Sequence, residues 1–344
     1  MLLRLGQFEL NDELRAFQPG PLNPVVTATV DAPESSSKEQ YAWDVTWSDA
    51  AKTARELGAD PATASVLPSG AGDVVAGGGT RVVVAAGGQV LLARWVPFGF
   101  APPSIQVGTL PHLIDVAAAA ARRPAHVVVL AAKDNAEVIA YAAGETGPGQ
   151  VFSRDRQKDP HPGRPPALHH GERHLTGPEP ETGGERNDKY IAGQVADAAA
   201  SVGAHIVLGA GDQHILDAVS AHLPGTLGPV VTVSADSDGP LDARIGAALD
   251  GITASDIASA ADQAASLAVK PDPGAVIGAS PVADQLAEQQ VAMLLVVAGF
   301  EDPVADEWVW SALRQDAIVA RAASLSGQPV AALLRRGEPR RHDS

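Results

Sequence analysis

The chain has no cysteine. That removes disulfides, thiolate metal sites and cysteine nucleophiles, and it is compatible with a reducing compartment. Aromatic residues make up only 4% of the 344 positions, so a core has to be built from the alanine and valine that dominate the 45% apolar content. Small side chains of that kind suit layered α/β packing. Long apolar runs are also missing. The opening MLLRLGQFELND is interrupted by Gly6, Glu9 and Asp12, so neither a signal peptide nor a membrane span is expected there. The expectation is a soluble cytoplasmic protein that makes no membrane contact.

Positive charge is the scarcer sign. With 25 Lys and Arg against 41 Asp and Glu the formal net charge is −16, which excludes a general nucleic-acid coat, because phosphate affinity comes from clustered cations. Distribution matters as much as the total. The stretch Ser153–Lys189 holds seven Lys or Arg, seven Asp or Glu and four of the ten histidines. It is too long, polar and rich in Pro and Gly for a packed element, and long connections in compact domains usually carry function. The C-terminal tail, with Arg335, Arg336, Arg340 and Arg341, is basic as well.

Periodicity divides the rest into α/β segments. Pro24–Val30 reads as a strand, and Ser36-x-x-Glu39 opens a helix carrying Trp43, Trp47, Ala50, Ala54 and Leu57 on one face. A shorter helix from Asp60-Pro61 is expected to stop at Pro68. Arg81–Ala86 and Gln89–Val96 flank Gly87-Gly88 as a hairpin. A helix over Pro111–Arg122 leads to two strand-like runs, Ala125–Ala131 and Glu137–Ala142. Beyond the polar stretch come a helix from Tyr190, a strand over His205–Gly209, a helix over His214–His222 and a strand over Pro229–Val233. Such alternation predicts a mixed or mostly parallel sheet. Leu241–Val269 reads as a long helix, and Lys270–Gly274 as a linker. The last part is read as a helix to Gln290, a strand over Val291–Val297, a helix over Trp308–Leu325 and a strand over Pro329–Leu334, a small α/β/α unit. Trp308 and Trp310, two apart, are expected to face different ways, leaving one exposed.

Several motifs have competing readings. Gly87-Gly88-Gln89 has the letters of the peptide-release tripeptide, yet it sits where a hairpin turn is expected. Gly183-Gly184-Glu185 stands at the end of the polar stretch, where a catalytic tip could lie; Thr182-x-x-Glu185 is equally a capping box with the glycines in the first helical turn. His161, His169, His170 and His174 lack metal-ligand spacing, so no metal is expected. Gly209-Ala210-Gly211-Asp212 follows a strand and precedes a helix, a place where an anion can bind, but the Asp212 charge favours a plain turn. Gly77–Thr80 lacks the Lys-Ser/Thr ending of a phosphate loop.

The order of parts resembles a known family. RRPAHVVVLAAKDNAEVIAY, the long stretch ending TGGERNDKY and the following helix, strand, helix and strand resemble the middle domain of the bacterial archaeo-eukaryotic release factor-like proteins, in the Pelota/Balon-like actinobacterial branch related to Vms/Ankzf-type peptidyl-tRNA hydrolases. The resemblance implies an α/β chain of three domains. These would be an N-terminal domain over 1–123, an RNase-H-like middle domain over 124–270 and a ribosomal-protein-like C-terminal domain over 271–344. It further implies a partner, the ribosome at its A site, and a possible second, a translational GTPase such as EF-Tu, with no cofactor. The family role would be ribosome binding in hibernation or stress, with Arg154, Arg156, Lys158, Arg164, Arg173, Gly183, Gly184, Arg186 and Lys189 on ribosomal RNA. The alternative is a peptidyl-tRNA hydrolase using Glu185 and Asn187, although the hydrolase branch carries a glutamine where this chain has Glu185. A small-molecule α/β enzyme with its pocket near Gly209–Asp212 is the third reading.

Overall fold

The computed structural model describes residues 5–20, 24–32, 39–73, 79–96, 103–132, 136–144, 150–153, 183–233, 240–270 and 274–335. Within them the chain forms two compact units, one of residues 1–124 with 249–344 and one of residues 125–248. The mixed α/β class expected from the alternation is what is found, with three sheets among the described residues.

In the first unit the N-terminal elements are α1 (Asp12–Ala16), β1 (Val25–Asp31), α2 (Glu39–Glu56), α3 (Pro61–Ala71), β2 (Thr80–Ala86), β3 (Gln89–Val96), β4 (Ser104–Gly108) and α4 (Ile114–Ala121). The strands make an antiparallel sheet in the order β3-β2-β1-β4. Alternation along the strands assigns the two faces. Val26, Ala28, Val83 and Ala85 meet Trp43, Trp47 and Leu67 of α2 and α3. Val25, Val82 and Val84 face the other way, toward α4. Trp43 stacks on Trp95 and donates its indole N–H to Gly72 O at 3.1 Å. Gly87 and Gly88 have φ of 56° and 75°, as a tight hairpin demands, and Gly88 N donates to Thr63 Oγ1 at 3.0 Å. The tripeptide Gly87-Gly88-Gln89 is therefore a turn pinned to α3. Two expectations are corrected here. α3 runs through Pro68 to Ala71, because Leu67 and Ala71 are buried and their packing outweighs the lost backbone bond. Leu57, just past α2, is 54% exposed rather than part of its buried face.

The second unit contains β5 (His126–Ala131), β6 (Ala136–Tyr141), β7 (Gln150–Ser153), α5 (Gly183–Val202), β8 (Ile206–Gly211), α6 (Gln213–His222), β9 (Val231–Thr232) and the first part of α7 (Leu241–Ala268). Its five strands are ordered β7-β6-β5-β8-β9, and β6 alone runs against the others. Ile191, Val195 and Ala198 of α5 and Ile215, Leu216 and Val219 of α6 fill the core over Val127, Val129 and Val207.

The remainder of α7 belongs to the first unit, followed by β10 (Ala275–Ile277), α8 (Ala279–Ala287), β11 (Val291–Val297), α9 (Val304–Arg314), β12 (Ile318–Ala322) and β13 (Val330–Leu334). These strands are ordered β10-β13-β11-β12, with β11 and β12 parallel. Met293 and Leu295 face Ile257, Ala260 and Ala264 of α7. Leu294 and Val296 face α8 and α9, in a core shared with Phe8, Leu10 and Leu14 of the N-terminal arm. The expected helix over Trp308–Leu325 is two elements. It stops at Arg314; Asp316 takes φ 57°, and the β-branched pair Ile318-Val319 opens β12. The expectation that one of Trp308 and Trp310 is exposed also fails, for both are 5% exposed. Trp308 stacks on Phe300, while Trp310 meets the edge of Phe17 from the N-terminal arm. The helix is buried on two sides, so two faces need aromatics.

Candidate functional site

The polar stretch leaves the sheet at Ser153, the end of the outermost strand β7, and rejoins ordered structure at Gly183, where α5 begins. Five of the residues assigned to RNA contact from the sequence, Arg154, Arg156, Lys158, Arg164 and Arg173, lie outside the described residues, as do the four histidines of that stretch and Thr182. The other four, Gly183, Gly184, Arg186 and Lys189, share the first two turns of α5 with Glu185 and Asn187, the two residues assigned to the hydrolase alternative. At 1.5 Å rise per residue they span about 10 Å. Two glycines weaken a helix start by about 1 kcal/mol each relative to alanine. The turn is held from below instead: Lys189 and Tyr190 are exposed, and from Ile191 onward the helix is anchored by buried Ile191, Ala192 and Val195. α5 begins at Gly183, so the two glycines stand in its first turn, while Thr182, the other half of the capping-box motif, lies outside the described residues.

The turn after β8 is a packed junction. A Cβ on Gly211, whose φ is 110°, would come to 1.8 Å from Ala131 O, and one on Gly209 would fall within 2.7 Å of Val230 and Leu216 side-chain atoms. Asp212 N donates to Ala131 O at 2.9 Å, and the Asp212 carboxylate accepts from His214 N at 3.0 Å, capping α6. Glycine at 209 and 211 lets β8 approach its neighbours, and the carboxylate occupies the position an anion would need. These residues form the plain turn, not a phosphate cradle.

A third constellation was not legible in the sequence. His112, just before α4, donates its backbone N–H to Thr27 Oγ1 at 3.0 Å, and its Nδ1 lies 2.8 Å from Asp306 Oδ1 in the first turn of α9. Its Nε2 is 3.9 Å from Asp115 Oδ2, and the other Asp115 oxygen accepts from Arg321 Nε of β12 at 2.7 Å. The result is an alternating row of charges, with all four side chains 16–20% exposed. Burial alone would depress the imidazolium, but Asp115 and Asp306 outweigh it and raise the His112 pKa to about 9. Burial pushes the Asp115 carboxyl up, and His112 and Arg321 more than reverse this and hold it below its ordinary value. His112 is thus a cation at neutral pH, which suits it to holding elements together and unsuits it as a general base. Only the His112–Asp115 pair is local; Asp306 lies 194 residues from His112 and Arg321 206 from Asp115, so the sequence could not have announced the cluster.

Among the described residues no group of three His, Cys, Asp or Glu could hold a metal ion, and no helix is long and apolar enough to cross a membrane. No protein-family model and no curated protein matches the chain. Solved structures do. The chain is similar to the Pelota protein of Archaeoglobus fulgidus, at 14% identity over 96% of this chain and 93% of that one, with a TM-score of 0.35. It is similar to archaeal Pelota in a model of ribosome-bound Pelota and ABCE1, at 12% identity over 96% and 95%, with a TM-score of 0.40. It is also similar to Dom34 of S. cerevisiae, a translation termination-like factor interacting with Hbs1, at 13% identity over 62% and 64%, with a TM-score of 0.34.

Proposed function

We propose that this chain is a release-factor-like ribosome-binding protein, a non-catalytic occupant of the A site of idle or stressed ribosomes in the cytoplasm. One observation carries the reading. In a chain of net charge −16, seven of the 25 cations fall within residues 153–189, between the edge strand β7 and the first two turns of α5. Arg154, Arg156, Lys158, Arg164, Arg173, Arg186 and Lys189 would meet ribosomal RNA phosphates, with Gly183 and Gly184 allowing close backbone approach. Each phosphate neutralised adds roughly 0.7–0.9 to the slope of log affinity against log salt, so binding should weaken steeply with ionic strength.

Two features support the architecture that goes with this function. The order β7-β6-β5-β8-β9, with only the second strand in sequence reversed, is the arrangement an RNase-H-like middle domain requires. The three sheets fall one in each of the proposed domains, 1–123, 124–270 and 271–344. The last would be the part that meets a translational GTPase such as EF-Tu.

Sedimentation through a sucrose cushion with vacant 70S ribosomes tests the reading. The intact protein should pellet with ribosomes at low salt, and a variant with residues 154–182 replaced by a short Gly/Ser linker should not. Glu185→Ala and Asn187→Ala should leave pelleting unchanged. If the intact protein instead releases peptide from peptidyl-tRNA and either substitution stops turnover, the peptidyl-tRNA hydrolase reading replaces this one. Failure of the intact protein to pellet, with a translational GTPase supplied, removes the ribosome from the account.

A further inference from the structure

β4 is the outermost strand of the N-terminal sheet and pairs only with β1 among the described residues. Ile105–Gly108 have no other backbone hydrogen bond there. Their outward N–H and C=O groups are a template for one more strand. Ile105 and Val107 turn their side chains toward α2 and α3. Gln106, opposite Thr27 in register, faces the other way, and both border a cavity of about 240 Å³ closed on its far side by Pro303, Asp306 and Glu307 of α9 and the residues leading into it. A more open cavity of about 440 Å³ continues it, sharing Thr109, Leu110 and Glu307 and reaching Trp310. Together they make a groove with an unpaired strand on one wall and a helix on the other.

The charge of the helical wall selects the occupant. Glu301, Asp302 and Glu307 are exposed, and Glu301 and Glu307 have no ion-pair partner among the described residues. Asp306 is already matched by His112. A phosphate backbone would be repelled by this end of α9, whereas Lys or Arg would supply the missing counter-charge. We infer that the β4 edge and the acidic face of α9 form a docking groove for an extended, cationic peptide segment of a partner protein. Three or four residues pair with β4, alternate side chains enter the groove, a cation meets Glu307, and an apolar residue covers Leu110 and the edge of Trp310. No residue lining this groove is among those proposed to meet ribosomal RNA.

The test uses the full chain and a panel of fluorescein-labelled heptapeptides with Arg at the second and fourth positions and Val, Ile or Thr between them, read by anisotropy at low salt. Binding by panel members, lost when Glu replaces Arg and lost when alternate peptide amides are N-methylated, is the expected result. Glu307→Lys, an exposed substitution whose folding is checked by circular dichroism, should weaken binding about tenfold or more. The inference is overturned if no panel member binds, if Glu307→Lys binds as tightly as the original, if N-methylation has no effect, or if a single-stranded RNA oligonucleotide displaces the peptide.

Discussion

Two charge-rich regions of this molecule solve opposite problems. Around His112 four charged side chains are mostly buried and each meets an opposite partner across the fold, from α4, α9 and β12. Over residues 154–182 ten charged side chains sit among only three apolar ones, Ala167, Leu168 and Leu175. The first region has its counter-charges built in, so its energy goes into holding N- and C-terminal segments in one unit. The second has too little apolar material to bury, so its charges are suited to a partner supplied from outside. Charge content alone does not separate the two uses; the surrounding apolar pattern does.

The comparison is broken most severely by exchanging residues 154–182 for the Gly/Ser linker. Ribosome pelleting should fall at least about tenfold, as expected when five cationic contacts are removed, while the unfolding midpoint in urea stays where it was. A large loss of stability would mean that the segment is structural. Removing the imidazole does the reverse. His112→Ala leaves Asp306 partly buried without its cation and should cost about 2–3 kcal/mol by denaturant titration, with ribosome pelleting unchanged.

The pH dependence sharpens the same contrast. The folded pKa of His112, about 9, lies above its ordinary 6.5. Its contribution is therefore fully present below about pH 6.5 and is lost as pH rises through about 9. The parent should lose about 1–3 kcal/mol between pH 6.5 and 9.5, a loss absent from His112→Ala. Asp115, held below its ordinary value, adds stability above the unfolded carboxyl pKa, which disappears on acidification. The smallest effect is expected at Arg15, which bonds Asp316 at 2.6 Å with both side chains about half exposed. Arg15→Gln should change stability far less than His112→Ala does, and an effect as large as that of His112→Ala would mean that exposure does not govern the worth of these pairs.

Much of the secondary structure was legible because it rests on local rules. The buried face of α2, the Gly87-Gly88 hairpin, the β5–β6 pair and the long helix α7 all follow from spacing and turn chemistry within a few residues. The short strands β4, β7, β10 and β12 were missed. They are three to five residues long, too short for a period to show, and exist because a longer neighbour supplies hydrogen bonds. Of the proposed site, the composition of the polar stretch and its exit into a helix were visible, while the docking groove was not, since it needs β4 and α9 side by side.

By itself the sequence determined the α/β alternation, the absence of thiol chemistry and the concentration of charge in residues 153–189, all properties of neighbours along the chain. Tertiary structure alone decided that both Trp308 and Trp310 are buried, that Gly209 and Gly211 serve close packing, and that His112 is a cation held between Asp115 and Asp306. Those outcomes depend on pairings across as many as 206 residues. Burial and ionisation are set by whatever the folded chain brings within a few ångströms, and sequence distance carries no information about that.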